Sequence, residues 1–240
     1  LTKLSNDKIL NAALFQKIKF VFDNQDKENL DDEQKVLLKE TYTDFVRNGA
    51  NLNDTDKDKL RKIDTQLSKL SLDFSENVLK EINKYEMHLT NEADLAGLPE
   101  GAKDAAAITA KQKGKTGWIF TLDGPSVGAF ITYADNRELR KELHKASSTK
   151  ASKGDELDNQ EIVKNTVKLK NERAQLLGFK NHASFILEEQ MASDIATVNN
   201  FLEDLLVKAK PFAEIELKEL QDFATSIGGP AVLESYDTAY

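Results

Sequence analysis

Residues 157–191 read LDNQEIVKNTVKLKNERAQLLGFKNHASFILEEQM, a stretch that contains the start, the end and the restart of a helix. Residues 158–161 provide a polar start, and apolar residues then recur at helical spacing, so we expect one buried face. The residues on that face are Ile162, Val163, Val167, Ala174 and Leu177. Gly178 predicts the end of the helix, since glycine adopts the left-handed capping conformation without strain. Residues 181–184 predict a second helix that carries Phe185, Ile186, Leu187 and Met191, and together the two helices form a packed corner.

The composition is typical of a helical globular protein. The chain has 240 residues, 40% of them apolar, and only four prolines and 11 glycines, which favours a mainly α fold with one large or two smaller domains. Lys and Arg number 33 against 41 Asp and Glu, with no basic block, so a nucleic-acid partner or a membrane partner is not expected. The absence of cysteine excludes a disulfide framework, a thiolate zinc site and a cysteine nucleophile.

Amphipathic patterns predict three helices in the N-terminal part of the chain. The first carries an apolar stripe over residues 10–22, and the second begins near Asp31 and ends at Asn48 and Gly49. The third is long, with Asn53 or Asp54 as its cap, and we expect it to pack in an antiparallel helix pair. Its apolar seam consists of Leu60, Ile63, Leu67, Leu70, Phe74, Val78, Ile82 and Tyr85.

The middle of the chain has weaker periodicity. Residues 89–117 predict an exposed excursion with a short alanine-rich helix. The alternation of Trp118, Phe120 and Leu122 with Ile119 and Thr121 predicts one short strand within residues 117–122. Residues 135–144 predict a charged surface helix, and residues 147–155 a loop.

A long final helix is predicted from Ser193 onward. Pro211 is expected to kink it, and residues 228–230, Gly-Gly-Pro, to end it. The residues expected to point inward are Ile195, Val198, Phe201, Leu202, Leu205, Leu206, Ala209, Phe212, Ile215, Leu220 and Phe223. These patterns predict a mainly α, elongated multi-helix assembly with three consecutive sub-regions. They are helical hairpins in 1–90, an excursion with a strand and a helix in 91–150, and the corner with the kinked helix in 151–240.

No stretch of the chain carries a catalytic motif. A zinc hydrolase needs two histidines four residues apart with a glutamate beside the first, whereas His88, His144 and His182 are far apart and none precedes a glutamate. Paired acids such as Glu188 and Glu189 are interpreted as solvated helix faces. No serine lies in a Gly-x-Ser-x-Gly elbow, and there is no phosphate-binding loop. We therefore predict no catalytic, cofactor-binding or metal-ligating residue in this chain.

Several collinear segments nevertheless resemble one enzyme family. Residues 173–185, RAQLLGFKNHASF, followed by QMA at 190–192, closely resemble the thimet oligopeptidase and peptidyl-dipeptidase family of zinc metallopeptidases. DFVRNGANL at 44–52, GWIFTL at 117–122, YADNRELR at 133–140 and ELQDFA at 219–224 are similar to other segments of that family, in the same order. The bacterial peptidyl-dipeptidase branch is the most similar by these motifs, although Lys170 and residues 236–237 depart from the usual pattern.

The resemblance implies a larger helical peptidase with a channel that admits short peptides. It also implies a single zinc bound by His-Glu-x-x-His and a downstream glutamate, a motif that this sequence does not contain. We therefore expect the chain to be the N-terminal to middle fragment of such a peptidase, a non-catalytic scaffold and channel wall. The zinc is expected in the full-length parent, and the chain alone is expected to be inactive.

The expected partners follow from the same resemblance. They are the missing catalytic half of the same polypeptide and, in the parent, short peptide substrates. Apolar surface left uncovered in the fragment predicts self-association. A cytoplasmic location is predicted, with a periplasmic one as the alternative. The competing hypothesis is a stand-alone helical binding or scaffold module that uses the seam of residues 60–85, and a natural reading frame that stops near Tyr240 would favour it.

Overall fold

The computed structural model describes residues 1–240, which form ten α-helices and one two-stranded antiparallel sheet. The helices are α1 (Thr2–Ile9), α2 (Ala12–Asp23), α3 (Asp32–Arg47), α4 (Asp54–Lys84), α5 (Glu100–Gln112), α6 (Gly124–Tyr133), α7 (Arg137–Ser148), α8 (Gln160–Leu176), α9 (His182–Leu187) and α10 (Ile195–Ser226). The strands are β1 (Met87–Leu89) and β2 (Trp118–Phe120). The mainly α fold is therefore confirmed. None of the helices combines the length and the apolar character needed to span a bilayer.

The chain folds as two compact units, each built from two segments. The first unit comprises Leu1–Asp73 and Glu161–Asn200, and the second comprises Phe74–Gln160 and Phe201–Tyr240. Two of the boundaries fall inside α4 and α10. The units therefore differ from the three consecutive sub-regions that the periodicity predicts.

In the first unit, α2 packs against α3 through aromatic side chains. Phe15 and Phe45 are buried, and their rings stack with centroids 6.2 Å apart. The start of α3 is fixed by a capping box, in which the Asp31 carboxylate accepts from the backbone N–H of Gln34 and the Gln34 side chain accepts from the backbone N–H of Asp31. Gly49 follows the end of α3 with a φ of 94°, so the predicted bounds of this helix are confirmed.

The corner predicted from residues 157–191 is also present in the first unit. Gly178 has a φ of 89° after the end of α8, and the N–H of Phe179 donates to the carbonyl of Ala174 at 2.9 Å. Asn181 caps α9, since its side chain accepts from the backbone N–H of Ser184 at 2.9 Å. Helical periodicity thus locates both helices and the turn between them.

The predicted contacts of the corner are partly wrong. Val163 and Val167 are exposed, because the half-buried stripe of α8 runs along Ile162, Thr166 and Leu169, about a quarter turn away. In the second helix, Phe185 is buried, but Ile186 is exposed. The helix also ends before Met191, whose side chain is fully exposed.

The second unit has a core around the small sheet. Residues Met87 and Leu89 of β1 lie opposite Phe120 and Trp118 of β2. The buried cluster consists of Met87, Leu89, Leu95, Leu98, Ala106, Phe120, Leu122, Phe130, Ile131, Ala134 and Leu143. The expectation of an exposed excursion over residues 89–117 was therefore wrong. Its apolar residues pack on the sheet and on α6, contacts that local periodicity does not reveal.

The apolar stripes of the two longest helices are less buried than predicted. Along the seam of α4 Leu60 is fully buried and Phe74 is 41% exposed, whereas the other six members are half-buried. α10 is helical through Pro211 and ends at Ser226, just before the Gly-Gly-Pro sequence. Its large apolar residues, predicted to point inward, are exposed instead; from 201 onward these are Phe201, Leu202, Leu205, Leu206, Phe212, Ile215, Leu220 and Phe223.

Candidate functional site

The three histidines lie in separate places. His88 Nε2 donates to the carbonyl of Thr116 at 2.7 Å, and His144 Nε2 is 2.9 Å from the hydroxyl of Ser235. His182 stacks on Phe185 with ring centroids 6.3 Å apart, and burial lowers its pKa. No group of three or more His, Cys, Asp or Glu side chains in residues 1–240 is placed to hold a metal ion. These residues do not fit the zinc site that the family resemblance implies for the larger enzyme.

A buried ion-pair cluster at the end of the second unit is its most organised polar group. Asn136 caps α7 by accepting from the N–H of Leu139, which places Arg137 and Arg140 one turn apart on the same face. Arg137 binds the Asp237 carboxylate with two N–H groups, at 3.0 and 2.8 Å, and Arg140 donates to the same carboxylate at 3.2 Å. We call Arg137, Arg140, Tyr236, Asp237 and Tyr240 the Asp237 cluster. It corrects the prediction of α7 as a charged surface helix, because the Arg140 side chain is only 3% exposed.

Further hydrogen bonds and a ring contact hold the charged groups of the Asp237 cluster in place. Arg140 also donates to the carbonyl of Ala134 at 2.7 Å, and its guanidinium carbon lies 3.9 Å from the centroid of the Tyr240 ring. Burial alone would raise the pKa of Asp237. The hydrogen bonds from Arg137, from the backbone N–H of Glu234 and from Arg140 outweigh burial and hold that pKa below its usual range. A carboxylate held in this way is suited to anchoring the segment that carries it.

The role of the Asp237 cluster is to fix the C-terminal segment onto α7. The Tyr240 hydroxyl donates to Asp135 Oδ1 at 3.0 Å, and the N–H of Asp135 donates to the carbonyl of Ala96 at 2.9 Å. Residues far apart in the sequence are thus joined by side-chain and backbone bonds. Sequence reasoning missed this arrangement because no local pattern links Arg140 to an aspartate 97 positions later.

A second buried arginine organises the corner of the first unit. Arg47 Nη2 donates to the carbonyl of Phe185 at 2.7 Å, and its Nε lies 2.9 Å from the Glu189 carboxylate. Glu188 also pairs with Arg47, and the guanidinium carbon lies 4.6 Å from the Phe185 ring centroid. Glu188 and Glu189 are therefore partners of a buried cation, and the prediction of a purely solvated acidic face was incomplete. Arg173 binds Asp64 at 2.8 Å beside this site.

Two of the segments that carry the family resemblance thus meet at this corner. Arg47 belongs to the segment 44–52, whereas Arg173 and Phe185 belong to the segment 173–185. Arg173 Nη2 donates to Asn48 Oδ1 at 3.1 Å, which links the two segments directly. Packing and ion pairing account for these residue types.

The apolar side of α10 is exposed in the second unit, and we call it the α10 face. Its nine members, each 49–68% exposed, are Phe201, Leu202, Leu205, Leu206, Phe212, Ile215, Leu217, Leu220 and Phe223. At its C-terminal end a cavity of about 370 Å³ lies between α10 and the C-terminal segment. Leu220, Phe223, Ile227 and Leu233 line this cavity, with Arg140 at its edge. Asp237, Thr238 and Tyr240 also border this mostly apolar cavity.

Comparison with known proteins gives the family context. The sequence model of Peptidase family M3 matches residues 130–240. Oligopeptidase A of Salmonella typhimurium is 36% identical over 234 residues, which is 96% of this chain and 34% of the relative. Dipeptidyl carboxypeptidase of the same organism is 29% identical over 99% of this chain and 35% of its own. Saccharolysin of Saccharomyces cerevisiae is 30% identical over 88% of this chain and 28% of its own.

Two facts follow from these comparisons. The chain spans about a third of the length of the curated relatives it matches. The identity to oligopeptidase A is higher than the identity to dipeptidyl carboxypeptidase, whereas the sequence motifs favoured the peptidyl-dipeptidase branch. The predicted resemblance to the thimet oligopeptidase and peptidyl-dipeptidase family is confirmed, since the chain is similar to its members over nearly its full length and carries a Peptidase family M3 segment in residues 130–240.

Proposed function

We propose that this chain is the non-catalytic scaffold and channel-wall region of a zinc-dependent peptidase that cleaves short peptides. The observation that carries the proposal is similarity along 96% of the chain to an oligopeptidase, of which the chain spans only 34%. The sequence contains no His-Glu-x-x-His motif, and the structure holds no group of side chains suited to a metal. In this proposal the missing catalytic half of the same polypeptide supplies the zinc site.

The chain's own contribution to the peptidase would be mechanical. Buried ion pairs resist rearrangement, since separating the partners leaves an uncompensated charge. Arg47 holds the corner of the first unit, and the Asp237 cluster holds the C-terminal segment of the second. Two rigid units of this kind suit the wall of a channel that excludes folded proteins. The same resemblance leads us to place the parent protein in the cytoplasm.

The test compares two proteins, residues 1–240 and the product of the complete reading frame. Each is assayed for bound zinc and for hydrolysis of a quenched short peptide, with a folded protein of similar composition as a substrate control. We expect zinc and turnover only in the product of the complete reading frame. Stoichiometric zinc with turnover in residues 1–240 would overturn the non-catalytic role, and an inactive full-length product would overturn the peptidase assignment.

The alternative function is a stand-alone helical module that binds a protein partner. It would use the seam of residues 60–85 along α4, of which only Leu60 is fully buried and Phe74 is exposed, since exposed apolar side chains on a helix suit a partner helix. A reading frame that stops near Tyr240 would support this alternative. A frame that continues into His-Glu-x-x-His would support the peptidase.

A further inference from the structure

The α10 face is wider and longer than the apolar stripe of an ordinary surface helix. From residue 201 to residue 223 the helix rises about 33 Å. At about 100° per residue its nine large apolar side chains spread over about 200° of the circumference, roughly twice the stripe by which a surface helix contacts a core. Glu203, Lys210 and Glu214 lie on the remaining arc, together with the exposed Val207. Three charged residues, Lys208, Glu216 and Glu219, lie among the apolar side chains of the face. An apolar arc of this width suits a helix that neighbouring polypeptide contacts on more than one side.

The exposed apolar area is large for a soluble protein. Nine side chains exposed by half to two thirds present on the order of 1,000 Å² of apolar surface. The largest patch on a typical monomer is about 300–600 Å², and one side of a stable interface buries about 800 Å². The α10 face is therefore large enough to be one side of a stable, permanent interface.

We infer that the α10 face is covered, in the complete protein, by the additional polypeptide that the relatives possess. The inference rests on the proposed function and specifies the surface by which this region contacts the rest of the chain. The relatives supply the reason for this occupant. The alignment with oligopeptidase A covers 96% of this chain but only 34% of the relative. About two thirds of such a relative is thus available to cover the face.

Two other occupants fit the α10 face less well. A bound peptide needs hydrogen-bonding partners for its backbone, whereas the nine side chains that define the face are apolar and the polar groups among them are the charged ends of Lys208, Glu216 and Glu219. A second copy of this chain that packs through its own α10 would cover one stripe, which leaves the rest of the 200° arc exposed. Additional polypeptide can contact both sides of the helix, and it therefore matches the width of the face.

Cysteine labelling tests the inference, since residues 1–240 contain no cysteine. Leu205→Cys and Phe212→Cys place a thiol on the α10 face, and Glu203→Cys is the control on the opposite side of the same helix. Each variant is prepared as residues 1–240 and as the complete reading frame, with any further cysteines replaced by serine. In residues 1–240, at concentrations too low for self-association, we expect a maleimide to label all three positions at similar rates. In the complete protein we expect labelling at 205 and 212 to slow by about 100-fold, with 203 unchanged.

Each contrary result has a defined meaning. Rapid labelling at 205 and 212 in the complete protein would overturn the inference. Protection in the complete protein that appears only as its concentration rises would assign the face to a second copy, and protection that requires an added short peptide would assign it to substrate; both would also overturn the inference. Amide hydrogen exchange of α10 in the two unsubstituted proteins gives the same comparison without a substitution. A complete protein that protects the face but hydrolyses no peptide would overturn only the proposed function.

Discussion

Asp237 is the residue on which the C-terminal segment of the second unit depends. Its carboxylate receives hydrogen bonds from two arginines, and both it and Arg140 are withdrawn from water. In such a pair, neutralising one partner leaves the other with the cost of burial and without the attraction that offset it. Breaking a charged pair on the exposed face of a helix costs little, because water solvates each partner after the pair is broken.

Asp237→Asn is therefore expected to destabilise the second unit by about 3 kcal/mol. The measurement is urea unfolding followed by the fluorescence of Trp118, the single tryptophan, which lies in the second unit. Asp222→Asn is the matched control, because it makes the same chemical change in an exposed pair with Lys218 and should cost at most about 0.5 kcal/mol. Equal unfolding midpoints for the two variants would show that the buried pair stabilises the protein no more than the exposed pair does.

The pH dependence of stability is expected to include a contribution from Glu86. The hydrogen bonds from Lys113, then from Lys115, lower the pKa of this carboxyl from 4.5 to about 2. Because the folded-state pKa is depressed, the stabilisation is fully present above the unfolded-state value and is lost as the pH falls from about 4.5 through about 2.

The Glu86 pKa can be measured by an NMR titration of its side-chain carboxyl carbon. We expect the double variant Lys113→Gln, Lys115→Gln to return this pKa towards 4.5, because both donors to the carboxylate are then uncharged. Lys111→Gln, a nearby change that removes the same charge from a residue without a hydrogen bond to Glu86, should leave it near 2. A Glu86 pKa that stays low in the double variant would contradict this assignment.

At the level of elements, the connection between the sheet and α5 depends on one backbone conformation. Gly97 has a φ of 82°, and a side-chain carbon there would overlap the carbonyl oxygen of Tyr133 and the carboxylate of Asp135. Gly97→Ala is expected to destabilise the second unit by about 2–4 kcal/mol, through backbone strain and displacement of Asp135. Gly101→Ala, in the first turn of α5 with open space around it, is the control, and it should be neutral or stabilise by up to about 1 kcal/mol. Similar thermal unfolding of the two variants would exclude a structural requirement at Gly97.

Sequence periodicity predicted the elements best where several local signals agreed. For α3, the capping residue Asp31, the apolar stripe and Gly49 all specify the same bounds, and the helix forms there. Residues 89–117 carry few such signals, since Leu89, Leu95 and Leu98 are separated by turns and gain their burial only from the sheet and α6. An apolar stripe identifies one side of a helix but not the element that packs against it. Val163 and Val167 were therefore expected to be buried, whereas the structure exposes them.

For the molecule as a whole, local patterns could not reveal the contacts that join distant segments. The pairing of Arg140 with Asp237 and of Arg47 with Glu189 depends on the path of the chain through space. The family resemblance was recoverable, because it rests on the order of several short segments and not on any one contact. The apolar pattern of α10 predicts inward-facing residues that are exposed in the structure, and the inferred cover lies in additional polypeptide.

Residues 1–240 in isolation are therefore expected to self-associate through the α10 face. Burial of each large apolar side chain contributes about 1.5–3 kcal/mol, and the face is too wide for one partner helix to cover, so we expect a series of oligomers that grows with concentration. The double variant Leu205→Glu, Phe212→Glu should sediment as a monomer, since charges at these two exposed positions oppose association without disturbing the core. Lys210→Glu changes the net charge equally but lies on the polar side of α10, so it should associate like the unsubstituted chain. Circular dichroism verifies that all three proteins are equally helical. A strictly monomeric unsubstituted chain at high concentration in sedimentation velocity would contradict the prediction. If the Lys210→Glu variant were monomeric as well, the loss of association would be an effect of net charge and not of the α10 face.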